Sequence, residues 1–325
     1  MSHSSGDALK RILAAVEEKL GPGAAFVVGE AGTRPVPAIS SGILPLDVAL
    51  GVGGYPIGRV VEIYGPESSG KTTLALHAIA SVQAQGGVAV FIDAEHAIDP
   101  YYAEALGVDL GAMLLAQPDS GEGALRTAHT AMKNGANIVV VDSVAALTPQ
   151  SELDGEVGEL KIGAQARMMS QAMRVLAQAA SKSGCILLFT NQMRMKIGVM
   201  YGSPETTPGG NALKCYASVR LDIRRRELVK EGKTSVGNKA RVRVVKNKVA
   251  PPFSVAEFEI EFGKGVCPAS ATISAGLAAG VLTRKGAYIY HDGVKLGQGS
   301  EKSKLALLED PELLRTITAK VIEAC

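Results

Sequence analysis

An anion-binding loop is the feature of this chain with the most definite chemistry. Residues 65–72 read GPESSGKT and match the pattern G-x-x-x-x-G-K-[ST]. In such a loop, glycines let backbone N–H groups turn toward phosphate oxygens, the lysine places a charge near the β and γ phosphates, and the threonine hydroxyl can hold Mg²⁺. The flanks predict a strand at 60–64 and a helix from Thr73 that ends at Gly86-Gly87, so a helix N-terminus would face the phosphates. We therefore predict a nucleoside triphosphate site formed by Gly65, Pro66, Glu67, Ser68, Ser69, Gly70, Lys71, Thr72 and Thr73.

Two acidic residues follow apolar segments of strand length. Asp142 ends the segment 138–141, where a carboxylate beside a phosphate loop can hold the water shell of Mg²⁺. Glu95 lies just after 88–93 and could orient and deprotonate an attacking water, although a solvated surface glutamate is the plain alternative. Its neighbour His96 is a rival base, which we interpret as a supporting residue.

Two longer segments, 150–163 and 193–210, are interpreted as structureless loops. Loops of this length inside a compact domain are usually functional or disordered. Asn191-Gln192 precede the second loop at the strand end where ligands bind in such sheets, so an amide there can sense a γ-phosphate. Positive side chains flank or lie within the loops: Arg167, Arg174, Arg194 and Lys196.

The order of apolar patterns indicates an α/β fold. Between residues 39 and 190, strand-like and helix-like segments alternate. The unbroken apolar runs are 88–93, 138–142 and 185–190. Strands apolar on both faces are typical of the middle of a parallel sheet covered by helices. After Cys215 the apolar residues alternate with a period of two, which indicates half-exposed, antiparallel strands that extend the sheet. The alternating segments are 218–223, 241–244 and 257–262.

The two ends of the chain carry smaller attachments. Residues 7–20 predict an amphipathic helix, followed by a linker at 29–37. The apolar stripe of that helix would pack either on the chain's own core or on a neighbouring subunit. Near the other end, a small mixed α/β domain closes with a helix at 311–324. The predicted division is 1–35 for the N-terminal helix and linker, 36–266 for the core, and 267–325 for the C-terminal domain.

Composition narrows the class of protein. Hydrophobic residues make up 46% of the chain, enough for a large core, and the net charge of +2 argues neither for nor against nucleic acid binding. The cysteines are scattered without a C-x-x-C pair, which predicts reduced thiols of a cytoplasmic protein rather than a metal site. They are Cys185, Cys215, Cys267 and Cys325. No segment approaches about 20 apolar residues, so we predict neither secretion nor a membrane span.

Several segments together resemble the bacterial RecA family, the recombinases of homologous recombination. They read GPESSGKTT at 65–73, FIDAEHA at 91–97, VVDSVAALTP at 140–149 and VVKNK at 244–248, together with 191–211. The resemblance runs from about Ser41 to Phe262 and is highly specific, whereas beyond Cys267 only the general outline persists. It implies a P-loop NTPase core of the RecA type with a largely parallel sheet extended by antiparallel strands, a short N-terminal helix segment and a small C-terminal α/β domain.

The resemblance also implies an activity. A member of this family would be a DNA-dependent ATPase that uses ATP and Mg²⁺, forms helical filaments on single-stranded DNA and catalyses pairing and strand exchange with a homologous duplex in recombination and DNA repair. The implied partners are single-stranded DNA, homologous double-stranded DNA and further copies of the chain, with a LexA-like repressor as a candidate and no membrane.

Roles for individual residues follow from the same resemblance. Glu95 would be the catalytic carboxylate and Gln192 the γ-phosphate sensor, while Lys246 and Lys248 would reach the phosphates from the neighbouring subunit. Besides the loop and Asp142, the nucleotide would be bound by Asp99 and Tyr102, which contact the adenine, and by Phe262. Thr72 would hold Mg²⁺ directly and Asp142 would hold it through water.

The segments 150–163 and 193–210 would be the two DNA-binding loops, with Ile162 and Ile197 wedged between base triplets. The DNA-binding set is Ile162, Arg167, Ser170, Arg174, Arg194, Lys196, Ile197, Gly209, Gly210 and Asn211. A secondary site for the incoming duplex would comprise Arg224, Arg225, Arg241 and Arg243, for which a solvated sheet face is the plain alternative.

The chain departs from the family pattern at four places. Pro208 replaces a usual Thr and should stiffen the second loop, while Cys215 stands where an aromatic interface residue is common. Residues 267–270 lack the usual aromatic–acidic pattern. The chain ends at Cys325 without the acidic tail of many relatives. We expect weaker autoinhibition and stronger duplex binding from that ending.

Three other functions fit the loop less well. A hexameric helicase motor would need a dedicated N-terminal interaction domain, for which residues 1–32 are too few. An accessory DNA-binding regulator with a defective ATPase is disfavoured by intact Lys71, Glu95, Asp142 and Gln192. A small-molecule kinase would need an acceptor pocket and a lid, and it would leave the two long basic loops unexplained.

Overall fold

The N-terminal unit contains one amphipathic helix. The structure, a computed structural model, describes residues 5–22, 24–27, 36–156, 161–195 and 204–324, and the chain divides into the units Met1–Val36 and Pro37–Cys325. In the first unit, helix α1 spans Ser5–Leu20, close to the predicted 7–20. None of its residues is buried within the described chain.

The second unit alternates strands and helices along the chain. Its described helices are α2 (Leu44–Leu50), α3 (Lys71–Ala84), α4 (Pro100–Ala105), α5 (Gly121–Lys133), α6 (Gln150–Leu153), α7 (Ala164–Ser183), α8 (Ala212–Tyr216), α9 (Pro268–Ala278), α10 (Gly299–Glu309) and α11 (Pro311–Glu323). Its described strands are β1 (Ala38–Ile39), β2 (Tyr55–Pro56), β3 (Val60–Gly65), β4 (Ala89–Asp93), β5 (Met113–Ala116), β6 (Ile138–Asp142), β7 (Ile186–Gln192), β8 (Arg194–Met195), β9 (Glu205–Thr206), β10 (Val219–Glu231), β11 (Thr234–Asn247), β12 (Val255–Glu261), β13 (Gly265–Val266), β14 (Leu282–Lys285), β15 (Tyr288–His291) and β16 (Val294–Gln298).

A sheet of nine described strands organises this unit. Its strand order is β13-β12-β11-β10-β3-β7-β6-β4-β5. The pairs from β10 to β5 are parallel, and those among β10, β11, β12 and β13 are antiparallel. The prediction of a parallel centre extended by antiparallel strands is therefore confirmed.

Both faces of strand β6 are buried, which explains why its sequence has no polar face. Ile138 and Val140 pack into one hydrophobic cluster, whereas Val139 and Val141 pack into another. All four are fully buried. Because successive side chains of a strand point to opposite faces, the two clusters lie on the two sides of the sheet. Helix α3 contributes to the first cluster, and α5 and α7 contribute to the second.

The two predicted structureless loops contain short regular elements. Residues 150–153 of the first form helix α6, and in the second β8 pairs with β9 in antiparallel fashion. The description of these segments as structureless was therefore wrong. The parts at 157–160 and 196–203 lie outside the described residues. The remaining element bounds differ from the predicted ones by a few residues, except in the β10–β11 hairpin, where β10 ends eight residues later and β11 begins seven residues earlier than the alternation indicated.

The C-terminal part has a small core of its own. Strands β14, β15 and β16 form an antiparallel sheet, against which α9, α10 and α11 bury residues such as Leu282, Ile289 and Leu307. Lys304 of α10 reaches strand β12, where its Nζ lies 2.8 Å from Glu259 and 3.5 Å from Glu261. Glu259 is 7% exposed, so this ion pair ties the small domain to the main sheet in a largely buried position.

Three absences apply to the part of the chain that the structure describes. No helix there combines the length and apolarity needed to cross a membrane. No group of three or more His, Cys, Asp or Glu side chains is arranged to hold a metal. The described cysteines form no disulfide: Cys185 and Cys267 are buried and Cys215 is exposed.

Candidate nucleotide and DNA site

The phosphate loop joins β3 to α3 as predicted. Helix α3 begins at Lys71, two residues before the predicted start, and Gly70 caps it with φ 101°, a conformation that suits glycine. A Cβ at Gly70 would lie 2.6 Å from Cδ1 of Ile260, and one at Gly65 would lie 2.2 Å from the carbonyl oxygen of Ile223. Gly65 is therefore required by a close contact with backbone, and Gly70 by its left-handed conformation.

Lys71 folds back over its own loop. Its Nζ donates to the carbonyl oxygens of Pro66 at 2.8 Å and Gly65 at 3.3 Å. Burial lowers the pKa of Lys71, and the nearby carboxylates of Asp142, Glu95 and Glu67 act in the opposite direction. The ammonium group is thus partly desolvated at the mouth of the loop.

Asp142 is a buried acceptor at the end of β6. Thr72 Oγ1 donates to its Oδ2 at 2.6 Å, and Thr190 Oγ1 donates to its Oδ1 at 2.5 Å. Burial raises the pKa of Asp142, Glu95 adds to that effect, and the two threonine hydrogen bonds with Lys71 oppose it. Thr190 was not predicted, because a threonine at the end of an apolar strand carries no motif.

Glu95 lies beside Asp142 because hydrogen bonds connect the C-terminal ends of β4 and β6. The backbone N–H groups of Ala94 and Glu95 donate to the carbonyl oxygen of Asp142 at 2.8 and 3.3 Å. The Oε1 of Glu95 accepts hydrogen bonds from Gln192 Nε2 at 3.1 Å and from Ser143 Oγ. The structure thus brings both predicted carboxylates and the predicted amide together. His96, with φ 55°, follows in an exposed turn.

The side chains of Lys71, Asp142, Glu95 and Gln192 line one cleft of about 750 Å³. Its lining from the predicted set is Glu67, Ser68, Ser69, Gly70, Lys71, Thr72, Thr73, Glu95, Asp99, Tyr102, Asp142, Gln192 and Phe262. Asp99 caps α4 by accepting from the N–H groups of Tyr101 and Tyr102, and the Tyr102 hydroxyl is 2.9 Å from Thr73 Oγ1. Gly65 and Pro66 form the start of the loop behind Lys71.

Sequence reasoning missed several wall residues. They are Tyr101, Asn238, Ile260, Glu261 and Gly263. Most lie on the antiparallel strands, more than 150 residues from the loop in sequence, and only the fold brings them to it. Alternation along 257–262 indicated the strand, and within this segment only Phe262 was predicted as a ligand contact, from the family resemblance.

Lys246 and Lys248 converge away from this cleft. Lys246 Nζ donates to the carbonyl oxygens of Lys214 and Cys215 at 2.7 and 3.0 Å, and Lys248 Nζ lies 3.5 Å from that of Cys215. Burial lowers the pKa of Lys246, and Lys248 lowers it further. Both side chains share one face, as their spacing predicts, yet neither lines the cleft of its own chain.

Helix α7 carries part of the predicted DNA-binding set as one stripe. Arg167, Ser170 and Arg174 are exposed at spacings of three and four residues, which align side chains on a helix. Arg174 Nε donates to the Ser170 carbonyl oxygen at 3.2 Å and Arg167 Nη2 to that of Ile162 at 3.2 Å. Ile162 is 85% exposed just before the helix.

The second loop is anchored at its C-terminal end. Asn191 Nδ2 donates to the Pro208 carbonyl oxygen at 3.2 Å, and the Gly209 N–H donates to Gln165 Oε1 at 3.1 Å. Gly209 and Gly210 have φ of 83° and 74°, and Asn211 precedes α8. Arg194 is exposed on β8, while Lys196 and Ile197 lie outside the described residues.

The four arginines of the predicted secondary site do not form one open basic face. Arg224 is bound by Glu205 and Asp222, Arg241 lies 3.5 Å from Glu257, and Arg243 lies over the ring of Phe253 at 5.7 Å. Arg224 and Arg241 are opposite each other in the β10–β11 register. The exposed Arg225 is the next residue of the strand and so points to the other face.

Comparison with known proteins identifies the family. The family model for the RecA N-terminal domain matches residues 7–267, and that for the RecA C-terminal domain matches 271–325. The chain belongs to the RecA family. The Protein RecA of Corynebacterium pseudotuberculosis (strain C231) is 53% identical over 318 residues, which cover 98% of this chain and 86% of that protein. The Protein RecA of Staphylococcus carnosus (strain TM300) is 54% identical over 322 residues, which cover 99% and 91%.

Because the chain belongs to the RecA family, it has the activity of that family. The chain is a DNA-dependent ATPase and recombinase of homologous recombination and DNA repair, which assembles with copies of itself on DNA. The resemblance found in the sequence is confirmed, and it extends through residues 271–325, where only the general outline was recognised.

Proposed function

We propose that the cleft binds ATP with Mg²⁺ and that Glu95 activates the water that attacks the γ-phosphate. One observation carries this proposal: Lys71, Asp142, Glu95 and Gln192 converge in a single cleft at the C-terminal ends of parallel strands. Ligands bind at this edge of open α/β sheets. A polar cluster so placed fits phosphoryl transfer better than a structural ion-pair network would.

The residues present fit both ligands. Gly70 is in the left-handed conformation, and a Cβ added there would meet Ile260, so the start of α3 offers a backbone cradle without a side chain at this position. The carbonyl oxygens of Gly65 and Pro66 hold the Lys71 ammonium, and phosphate oxygens would be stronger acceptors for it. Thr72 and Asp142 supply the oxygen ligands that Mg²⁺ prefers, with Asp142 acting through water.

Each residue has a distinct part in hydrolysis. When bound, Mg²⁺ supplies positive charge that neutralises the phosphate oxygens in the transition state. Lys71 would add a second charge there, and Thr72 and Asp142 would hold the ion. Glu95 would accept the proton of the attacking water. Gln192, which bonds Glu95 in this structure, would turn to the γ-phosphate and report its presence to the loop that follows.

The far end of the cleft would hold the adenosine part of the nucleotide. Tyr102 and Phe262 line the cleft with Asp99, which lies at the N-terminus of α4. A tyrosine ring and an exposed phenylalanine offer flat apolar surfaces for a base. Asp99 also orders the turn that carries Tyr102, since its carboxylate accepts two of the helix N–H groups.

Lys246 and Lys248 would complete the site of a neighbouring subunit. Their shared face and their distance from the cleft of their own chain support a role across an interface. Positive charge supplied in trans is a known means of stabilising phosphoryl transfer. The carbonyl oxygens of Lys214 and Cys215 hold both ammonium groups in one place.

DNA would bind along α7 and the second loop. Arg167, Ser170 and Arg174 offer donors to phosphates in one stripe, and Ile162 offers an apolar wedge. Arg194, Lys196, Ile197, Gly209, Gly210 and Asn211 complete the proposed primary site. Arg224, Arg225, Arg241 and Arg243 remain the proposed secondary site for the duplex, although Arg224 would first have to leave its acidic partners.

Further assignments rest on the sequence. We retain the division into residues 1–35, 36–266 and 267–325 as a proposal. A LexA-like repressor remains a candidate partner on the resemblance alone. The buried free thiols of Cys185 and Cys267 are compatible with the proposed cytoplasmic location, where thiols stay reduced.

The proposal is tested by ATP hydrolysis with and without single-stranded DNA, in wild type and two variants. Lys71→Ala should lose tight ATP binding, because backbone N–H groups alone compensate the triphosphate charge poorly. Glu95→Gln should bind ATP normally and hydrolyse it about 100-fold or more slowly, since only water activation is lost. Equal nucleotide affinity and equal turnover in Glu95→Gln and wild type would remove Glu95 from the mechanism.

A further inference from the structure

Ser143 has no role in the scheme above, yet its hydroxyl touches the proposed base. Ser143 Oγ donates to Oε1 of Glu95, the same oxygen that accepts from Gln192 Nε2. The side chain of Ser143 is fully buried, whereas Gln192 is only half-buried at the end of β7. The two donors therefore differ in freedom: the serine is enclosed by protein and the glutamine borders the cleft.

The backbone around Ser143 fixes its relation to Glu95. The carbonyl oxygen of Asp142, the residue before it, accepts hydrogen bonds from Ala94 N–H and Glu95 N–H. Strands β4 and β6 also pair in register up to Asp93 and Asp142. Glu95 is thus held twice by consecutive residues of one strand end, at its backbone by Asp142 and at its carboxylate by Ser143.

This arrangement leaves the second carboxylate oxygen of Glu95 available. Within the described chain, Oε1 receives both hydrogen bonds and none reaches Oε2. A general base needs one oxygen free to accept a proton from water, with the group held in a fixed direction. A donor that occupies only Oε1 meets both requirements.

We propose that Ser143 is a positioning residue that holds Glu95 in the water-activating orientation after Gln192 has turned to the γ-phosphate. The inference rests on the proposed function of Glu95 and goes beyond it. When the Gln192 amide turns to the γ-phosphate, Oε1 of Glu95 loses one of the two donors that it has in this structure. Ser143 then supplies the donor that remains through the whole cycle, and the serine hydroxyl at this position is part of the ATPase.

The test compares Ser143→Ala, Glu95→Gln and the double variant in single-turnover ATP hydrolysis on single-stranded DNA. Ser143→Ala should lower the hydrolysis rate about ten-fold, the effect of losing one hydrogen bond to a charged group. KM for ATP and the affinity for ADP should stay the same, since Ser143 touches neither the loop nor the base pocket. In the Glu95→Gln background, Ser143→Ala should cause no further loss, because residues that act as a unit are not additive.

Ser303→Ala is the matched control. It removes another fully buried serine hydroxyl, whose partner is the carbonyl oxygen of Gly299 in the C-terminal domain, and it should leave hydrolysis unchanged. A normal rate in Ser143→Ala, or an equal loss in the presence and absence of the Glu95 carboxylate, overturns the inference. A normal rate in Glu95→Gln is a different result, because it removes the proposed base itself.

Discussion

Arg224 and Glu205 form a bidentate ion pair that joins the long β10–β11 hairpin to the second loop. The two terminal nitrogens of Arg224 donate to the two carboxylate oxygens of Glu205 at 2.9 and 2.7 Å, and its Nε donates to Asp222 at 2.6 Å. These hydrogen bonds hold the pKa of Glu205 below its ordinary value. A proposed duplex-binding arginine is thus engaged by acidic groups, one of which lies on the returning strand of a proposed DNA-binding loop.

Neutralising Glu205 should release Arg224 for duplex DNA. In Glu205→Gln the guanidinium keeps Asp222 as its one acidic partner among the described residues, so phosphates compete for it more easily. We expect affinity for duplex DNA to rise about three-fold at moderate salt, the size of effect typical of an exposed ion pair. Titration of labelled duplex followed by fluorescence anisotropy measures it.

Glu227→Gln is the matched control for that change. It removes the same charge from β10, at a position whose contact with Lys239 is long, 3.6 Å. Equal gains in both variants would mean that net charge alone governs duplex binding, with no special place for Arg224.

Lys71→Ala and Lys248→Ala should rescue each other when they are co-assembled. If the lysines act across an interface, a working site needs the loop of one subunit and the lysines of the next. Random mixing in equal amounts makes about a quarter of the interfaces whole, and DNA-stimulated ATP hydrolysis should return to a corresponding fraction. Steady-state phosphate release from the mixture measures this.

The double variant Lys71→Ala/Lys248→Ala supplies the control for rescue. Mixed with either single variant, it leaves every interface without an intact loop or without an intact lysine, so activity should stay absent. A mixture of the two single variants that enters filaments but remains as inactive as its parents would place Lys248 outside the neighbouring site.

Arg174→Ala should weaken binding of single-stranded DNA alike for all base sequences. Arg174 lies on the exposed stripe of α7, and within the described residues its one hydrogen bond goes to the backbone carbonyl of Ser170, which suits a phosphate contact. The slope of log affinity against log salt should become shallower by about 0.7, the value for one phosphate contact on a single strand. A loss confined to one base type would instead assign Arg174 to base recognition.

The partly buried imidazole of His77 should make the folded protein less stable in acid. Its Nε2 accepts the Val266 N–H at 3.1 Å, and burial lowers the pKa of His77 from 6.5 to about 4. Because the unfolded chain binds this proton below about pH 6.5 and the folded chain only near pH 4, stability falls as pH decreases through that interval. The upper limit of the effect is about 3 kcal/mol.

His77→Gln should remove that part of the acid dependence. The glutamine oxygen can accept the same N–H, so the free energy of unfolding at pH 7.5 should change little. Between pH 6.5 and 4 that free energy should decrease less steeply with falling pH, by the slope that corresponds to about one bound proton. Urea unfolding at a series of pH values measures both. The same slope in the variant and the wild type would show that His77 takes up its proton in the folded protein.

The sequence predicted those parts of the molecule that local pattern determines. Apolar runs such as 138–142 identify central strands because both faces are buried, and the loop at 65–72 identifies a phosphate site because few other structures need that spacing of glycine and lysine. The ends of predicted strands indicated three further site residues, Asp142, Glu95 and Gln192. The structure brings all of them to one cleft.

The other features of the cleft and of the loops depend on contacts between residues that are distant in sequence. The types of Asn238 and Glu261 do not show that the antiparallel strands form a wall of the cleft, and only the family resemblance at the neighbouring Phe262 pointed there. Ser143 and Thr190 are single hydroxyls whose meaning comes from the carboxylates beside them. Long segments with glycine and proline were interpreted as wholly irregular, but short pairings such as β8 with β9 need only two residues each and leave no periodic signal.

The Lys304 contact with Glu259 and Glu261 has a consequence for any shortened form of the chain. Strand β12, which carries both carboxylates, continues into Phe262 at the cleft. A chain cut before α10 would leave Glu259 without its cation in a largely buried position, a condition that usually costs several kcal/mol. Truncation would then loosen the wall beside the proposed base pocket, so that weaker nucleotide binding in the shortened protein would be a defect of the main sheet and not the loss of a separate regulatory module.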